Sequence, residues 1–90
     1  MIGVKIIVDG IVQGVGFRWF ASRLAKQLGV TGWARNRLRG DVEIYAEADR
    51  AALEAFIREV KTGPRFGRVD GIDVEWKEYT GKYSDFNIRG

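Results

Sequence analysis

The segment Gly10–Arg18 contains the residues of this chain that are best suited to chemistry. Glycine recurs in it at positions 10, 14 and 16, and the segment ends on Arg18. Glycine permits positive φ angles and a close approach of a ligand to the backbone. Consecutive backbone N–H groups ahead of a helix form a nest for anions, which the helix dipole strengthens. Arg18 adds a fixed charge with a planar set of donors. The segment therefore predicts a phosphate cradle that needs no metal.

Other phosphate-binding motifs do not match this segment. The Walker pattern requires Gly-Lys followed by Ser or Thr, and a dinucleotide fingerprint requires a third glycine where this chain has Trp19. Residues 16–20 faintly resemble an RNA-binding aromatic motif, but that motif belongs on a strand and not at the start of a helix. One alternative stays open, a plain strand-to-helix turn that uses glycine only for its geometry. The nearby Arg18 favours the cradle.

Asn36 is the second candidate for a chemical role. It shares inward parity with Ala34 and Leu38 in an alternating segment. A buried amide without partners costs about 1–3 kcal/mol, so something in the protein or a ligand should use it. If the first and second strands run parallel, Asn36 lies at the same sheet end as the glycine loop. Its amide can then hold a water beside a bound phosphate. If the strand ends earlier, the amide only caps a turn, and the pattern leaves both readings open.

The composition excludes several classes of enzyme. The 90 residues include no Cys and no His. Thiolate nucleophiles, Cys-ligated metals, disulfides and every Ser-His or Cys-His arrangement are therefore excluded. The carboxylates are dispersed, and no pair has the spacing of an acid–base dyad or a metal site. The net charge of +3 mildly favours an anionic partner but does not by itself indicate nucleic acid.

The elements that must position these residues follow from hydrophobic periodicity. Strands are predicted over residues 2–8, 30–38, 42–47 and 71–77, with a short last strand that turns Phe86 and Ile88 inward. Helices are predicted over residues 17–28 and from an N-cap at Asp49 to a stop at Gly63-Pro64. Trp33 is expected to pack on a sheet face. The order β-α-β-β-α-β plus a C-terminal strand predicts an α+β fold, the ferredoxin-like split βαβ sandwich. Its antiparallel sheet carries both helices on one face.

Charges on the second and third strands are expected to pair. Arg35 and Arg37 should lie near Glu43 and Glu47 on the outer face of the hairpin. With Arg39 they form a basic stripe, which is interpreted as a solvated strand face opposite acidic neighbours. Binding of RNA through this stripe is a third, weaker hypothesis.

Two segments of the chain resemble the signatures of the acylphosphatase family. Residues 10–18 resemble the first signature along its whole length, and residues 32–36 with Gly40 and Val42 resemble the second. The similarity continues to the end of the chain and so implies one acylphosphatase-like domain over residues 1–90. The chain departs from the family at Ala48, where Gly is usual, and at its Arg89-Gly90 end, where an aromatic residue is common.

The resemblance implies a metal-independent enzyme that hydrolyses the carboxyl-phosphate bond of small acyl phosphates to a carboxylate and inorganic phosphate, without a cofactor. It implies that Arg18 and Asn36 are catalytic. The residues implied to bind phosphate are Gln13, Gly14, Val15, Gly16, Phe17 and Arg18. The alternative is a non-catalytic phosphate-binding module of the same fold. We expect a cytoplasmic monomer with an acyl phosphate substrate and with neither a nucleic acid nor a membrane as partner, since no segment resembles a signal peptide or a membrane span.

Overall fold

The computed structural model describes all 90 residues, which form five strands and two helices. The strands are β1 (Ile2–Ile11), β2 (Thr31–Asn36), β3 (Val42–Ala48), β4 (Arg68–Lys77) and β5 (Phe86–Arg89). The helices are α1 (Phe17–Leu28) and α2 (Arg50–Thr62). The element order is the predicted one, and α1 has the predicted bounds. Neither helix is both long and apolar enough to span a membrane.

The five strands form one sheet in the order β4-β1-β3-β2-β5. The first four strands pair antiparallel, and β1 lies in the interior of the sheet. This confirms the predicted antiparallel sheet for those four strands, whereas the short β5 pairs parallel with β2 and makes the sheet mixed at this edge. The reason is the connection: after β4 at one edge, the chain crosses to the opposite edge before it forms β5.

Both helices cover one face of this sheet and contact each other. The core between the layers is built from alternate residues of the central strands and from the apolar stripes of the helices. It includes Val4, Ile6, Val8, Ala34, Ile44, Leu53, Phe56 and Phe86, all buried. Asp49 caps α2 as predicted, since its Oδ1 accepts a hydrogen bond from the Ala52 N–H at 2.8 Å.

Strands β1 and β4 each extend three residues beyond their predicted bounds. A register shift between Asp9 and Gly10 carries β1 on to Ile11, where it pairs with Arg68 at the start of β4. Gly10 is required at this bulge, because a Cβ there would lie 2.1 Å from the Arg68 carbonyl oxygen. Strand β4 correspondingly begins at Arg68 and not at the predicted residue 71. The bulge ends the regular ladder just before the loop that leads into α1.

Two apolar residues expected to point inward are exposed. Leu38 lies in the β2–β3 turn, beyond the end of the strand, and is fully exposed. Ile88 is 43% exposed, whereas Phe86, two residues earlier on the same face, is buried. Both differences arise at strand ends, where alternation continues but the helical layer no longer covers the sheet.

The outer face of the sheet holds the aromatic and charged side chains of the β2–β3 hairpin. Trp33 stacks on Tyr45 with ring centroids 6.3 Å apart, as predicted for sheet-face packing. Arg35 pairs with Glu43 at 2.6 Å, as expected. Arg37 pairs with Asp41 at 2.6 Å, not with Glu47.

Glu47 accepts hydrogen bonds from Tyr45 and from the segment after β4. Its donors there are the Thr80 N–H, the Thr80 hydroxyl and the Gly81 N–H. Burial favours the neutral carboxyl, but these hydrogen bonds outweigh it and lower the pKa of Glu47. The carboxylate therefore fastens the crossing segment to the sheet.

Candidate active site

The loop between β1 and α1 is shaped by two left-handed glycines. Gly14 has φ 75° and Gly16 has φ 76°. A Cβ at either position would meet no atom within 4 Å. The requirement for glycine is therefore one of backbone conformation, and the space beside both residues is open. Alternating glycine conformations of this kind turn successive N–H groups toward a common point.

The backbone N–H groups from Gln13 to Trp19 donate to no acceptor in the protein. The first hydrogen bond of α1 runs from the Phe20 N–H to the Gly16 carbonyl at 2.9 Å. Gly16 occupies the N-cap position and has no side chain that could accept a hydrogen bond from the first N–H groups of α1. Helix α2 differs, because Asp49 fills that role there. The start of α1 therefore presents a row of free donors at the positive end of a helix dipole.

Arg18 lies in the first turn of α1, beside these donors. One of its terminal nitrogens, Nη1, donates to the Arg89 carbonyl oxygen at 2.7 Å. This bond orients the guanidinium, and the remaining N–H groups of the side chain donate to no protein acceptor. Strand β5 pairs with β2, which ends at Asn36, so this bond also joins the start of α1 to the strands around Asn36. The C-terminal strand thus positions the one charged side chain beside the donor row.

Asn36 is the last residue of β2. It pairs with Val42, which pairs on its other side with Val8. Strands β1 and β2 both run antiparallel to β3, so they run parallel to each other and their carboxyl ends meet at one edge of the sheet. Two strand spacings of about 4.8 Å separate them there. The sequence left open whether the first and second strands run parallel, and in the structure they do. The side-chain amide of Asn36 makes no hydrogen bond with the protein.

Arg18 and Asn36 line one cleft of about 140 Å³, called here the Arg18–Asn36 cleft. The other residues around it are Val12, Gly14, Gly16, Phe17, Trp19 and Ile88. No acidic side chain is among them, so the field of Arg18 and of the helix end is unopposed. A small positive cleft lined by free N–H donors suits a tetrahedral dianion such as a phosphoryl group.

Two residues of the predicted phosphate loop do not line this cleft with their side chains. Gln13 turns its amide away, and Nε2 donates to the carbonyl oxygens of Arg37 at 2.7 Å and Asp41 at 2.9 Å. Val15 borders a larger neighbouring groove. Both residues still contribute their backbone N–H groups to the row of free donors.

The Gln13 amide therefore ties the loop to the β2–β3 hairpin. Both acceptors belong to the turn that follows Asn36, and the Arg37–Asp41 ion pair closes that same turn. The hydrogen bond with Arg37 lowers the pKa of Asp41 and outweighs the opposing effect of burial. The donor row and the Asn36 amide are thus fixed relative to each other by contacts far apart in the chain.

The sequence pattern missed these supporting contacts. The Gln13 amide and the Arg89 carbonyl join segments that are far apart in the chain, and no local motif indicates these contacts. Each arginine of the predicted stripe forms an ion pair, Arg35 with Glu43 and both Arg37 and Arg39 with Asp41. Nowhere in the structure do three Asp or Glu side chains cluster as a metal site would require.

Comparison with known proteins finds acylphosphatases by both sequence and structure. A sequence model of the family described as Acylphosphatase matches residues 4–88. A protein of Thermotoga maritima named Acylphosphatase is 48% identical over 89 residues, covering 99% of this chain and 98% of that one. The crystal structure of acylphosphatase from Bacillus subtilis has a TM-score of 0.97 and 41% sequence identity, with 100% coverage of both chains. An acylphosphatase structure from Coxiella burnetii has a TM-score of 0.91 at 33% identity, covering 98% of this chain and 92% of that one.

Proposed function

Because this chain belongs to the acylphosphatase family, we propose that Arg18 and Asn36 are the residues with which it hydrolyses acyl phosphates. The reaction yields a carboxylate and inorganic phosphate. The observation that carries the assignment is the row of unpaired backbone N–H groups from Gln13 to Trp19, with Arg18 at its end and Asn36 across the same cleft. The alternative of a non-catalytic phosphate-binding module is not favoured by the acylphosphatase relatives.

The donor row and Arg18 bind the phosphoryl group. Negative charge on its equatorial oxygens is stabilised by backbone N–H groups, by the dipole of α1 and by the free N–H groups of the guanidinium. Because these donors are already held in place, they need little reorganisation as the P–O bond to the leaving group lengthens. Phosphoryl transfer depends mainly on such positioning and charge stabilisation, so we propose that no metal is required.

Asn36 orients the attacking water. Its amide is free of protein partners and stands across the cleft from the donor row. The water oxygen forms a bond to phosphorus while the bond from phosphorus to the carboxyl oxygen breaks. The carboxylate leaves without protonation, and a phosphoryl oxygen accepts the proton of the water. Alignment of this kind lowers the barrier without a protein base, which agrees with the lack of His in the sequence.

Steady-state hydrolysis of benzoyl phosphate with EDTA present tests these roles. Arg18→Ala should lower kcat/KM by about 100-fold or more, as loss of one charge-stabilising donor does elsewhere. It should also weaken competitive inhibition by inorganic phosphate. Asn36→Ala should lower kcat and leave the phosphate inhibition constant nearly unchanged, because the amide contacts the water.

Two matched variants control for charge and for side-chain chemistry. Arg58→Ala removes the same charge from an exposed position of α2, and Asn87→Ala removes the same amide from an exposed position of β5. Both should keep the activity of the unsubstituted protein. Equal rates in Arg18→Ala and Arg58→Ala would overturn the assignment of Arg18. Loss of activity in EDTA would overturn the metal-free reaction.

We propose further that the protein is a cytoplasmic monomer of one domain. The cleft that holds Arg18 and Asn36 is lined by residues of this chain, so the proposed chemistry needs no residue of a second copy. The location in the cytoplasm stays a prediction.

A further inference from the structure

A second and larger depression adjoins the Arg18–Asn36 cleft. It has a volume of about 650 Å³, which is within the usual range for sites that bind small molecules. It lies between α1 and the segment that follows α2, and we refer to it as the α1–α2 groove. Its lining includes Gly16, Trp19, Arg65 and Phe66, and Glu59 is the one acidic residue there.

The groove and the cleft share a border. Gly16 and Trp19 line both of them, whereas Asn36 lines the cleft and not the groove. In an in-line displacement the attacking and leaving oxygens stand on opposite sides of phosphorus. A water held by Asn36 therefore directs the leaving carboxylate away from Asn36, and the cleft continues into the groove at Gly16 and Trp19.

Two aromatic side chains are exposed along this groove. Trp19 is 65% exposed and Phe66 is 77% exposed, although burial of either ring would contribute to stability. The guanidinium of Arg65 lies 5.5 Å from the centroid of the Phe66 ring, which limits the orientations of that ring. Exposed aromatic surface beside a polar site is typical of a place where a ligand completes the packing.

We propose that the α1–α2 groove binds the acyl group of the substrate and favours an aromatic acyl group, which packs against Trp19 and Phe66. This inference rests on the proposed function, because it takes the phosphoryl group to be held by the donor row and the water by Asn36. The cleft then binds the phosphoryl group, and the groove selects among the acyl groups attached to it.

The test compares benzoyl phosphate with acetyl phosphate in Phe66→Ala. Phe66 borders the groove but not the cleft, and its exposure makes folding of the variant secure. The ratio of kcat/KM for benzoyl phosphate to that for acetyl phosphate should fall about three- to tenfold, the equivalent of one lost aromatic contact. Inhibition by inorganic phosphate should not change. Product inhibition by benzoate should weaken by a similar factor, which provides a readout independent of turnover.

Tyr79→Ala is the matched control, since Tyr79 is an exposed aromatic residue that lines neither site. It should keep the substrate ratio of the unsubstituted protein. An unchanged ratio in Phe66→Ala, or an equal loss for both substrates, would overturn the proposal. So would a dimer in sedimentation that Phe66→Ala converts to monomer, since the groove would then bind a second copy of the chain. Lack of turnover of both substrates by the unsubstituted protein would instead refute the proposed function.

Discussion

Substitution of Gln13 by Met tests whether the hairpin that carries Asn36 is held in place by the loop. Met keeps the length of the side chain but removes the amide that donates to the Arg37 and Asp41 carbonyls at 2.7 and 2.9 Å. Neither carbonyl is left unpaired, because Arg37 keeps the Gly40 N–H and Asp41 keeps the Arg37 N–H. The loss is therefore two net hydrogen bonds, about 2 kcal/mol in total.

That loss has a measurable size in a chain of this length. A change of 1 kcal/mol shifts Tm by about 4–8 °C in a domain of 60–100 residues, so Gln13→Met should lower Tm by roughly 8–16 °C. Calorimetry or circular dichroism measures this shift. Gln13→Glu should be less stable than Gln13→Met near neutral pH, because a carboxylate oxygen then faces two carbonyl oxygens.

The same substitution should lower kcat for acyl phosphate hydrolysis by about 10- to 100-fold, the cost of small misplacements in aligned reactions. The sharp test is the double variant with Asn36→Ala. If Gln13 acts by positioning Asn36, Gln13→Met should lower kcat little or not at all once the Asn36 amide is gone. Assays are run well below the Tm of each variant. Effects on kcat that multiply in the double variant, or an unchanged Tm in Gln13→Met, would refute the reasoning.

Three further outcomes are expected. Gly16→Ala should lower the free energy of unfolding by about 1–2 kcal/mol, because an L-residue must adopt a left-handed conformation there, and it should weaken inhibition by phosphate. Gly29 is the matched control, since it has φ 71° and equally open surroundings. Gly29→Ala should show a similar loss of stability in urea unfolding but normal inhibition by phosphate. Glu47 has a lowered pKa, so its contribution to stability is present above its ordinary pKa of 4.5 and is lost as the pH falls through the lower folded value. Glu47→Gln should reduce this loss of stability at acid pH, measured as the free energy of unfolding in urea. An unaltered loss at acid pH would contradict the prediction. Burial, with Glu47 nearby, raises the pKa of Tyr45 from 10.0 to about 12, so stability should fall as the pH rises across that interval, and Tyr45→Phe should remove this slope.

Much of the fold follows from local patterns. The bounds of α1, the cap at Asp49 and the inward faces of β1 and β3 depend on periodicity and on side-chain chemistry within a few residues, which are visible in the sequence. The errors lie at strand ends. Leu38 continues the alternation of β2 but falls in the turn and is exposed. The direction in which β5 pairs with β2 depends on the segment that crosses the sheet after β4.

In the candidate site, too, local features follow from the sequence and long-range contacts do not. The sequence by itself determined the donor row, because the left-handed glycines and the absence of a capping side chain before α1 are local properties of residues 13–19, and Arg18 follows in the first turn. It also determined that catalysis through Cys or His is excluded.

Only the tertiary structure decided that Asn36 faces that row, because the carboxyl ends of β1 and β2 meet only after both pair with β3. The contacts of Gln13 and of Arg18 were decided in the same way, since they span 24, 28 and 71 residues of the chain. Such contacts depend on the final path of the backbone, and the residue types alone do not specify it.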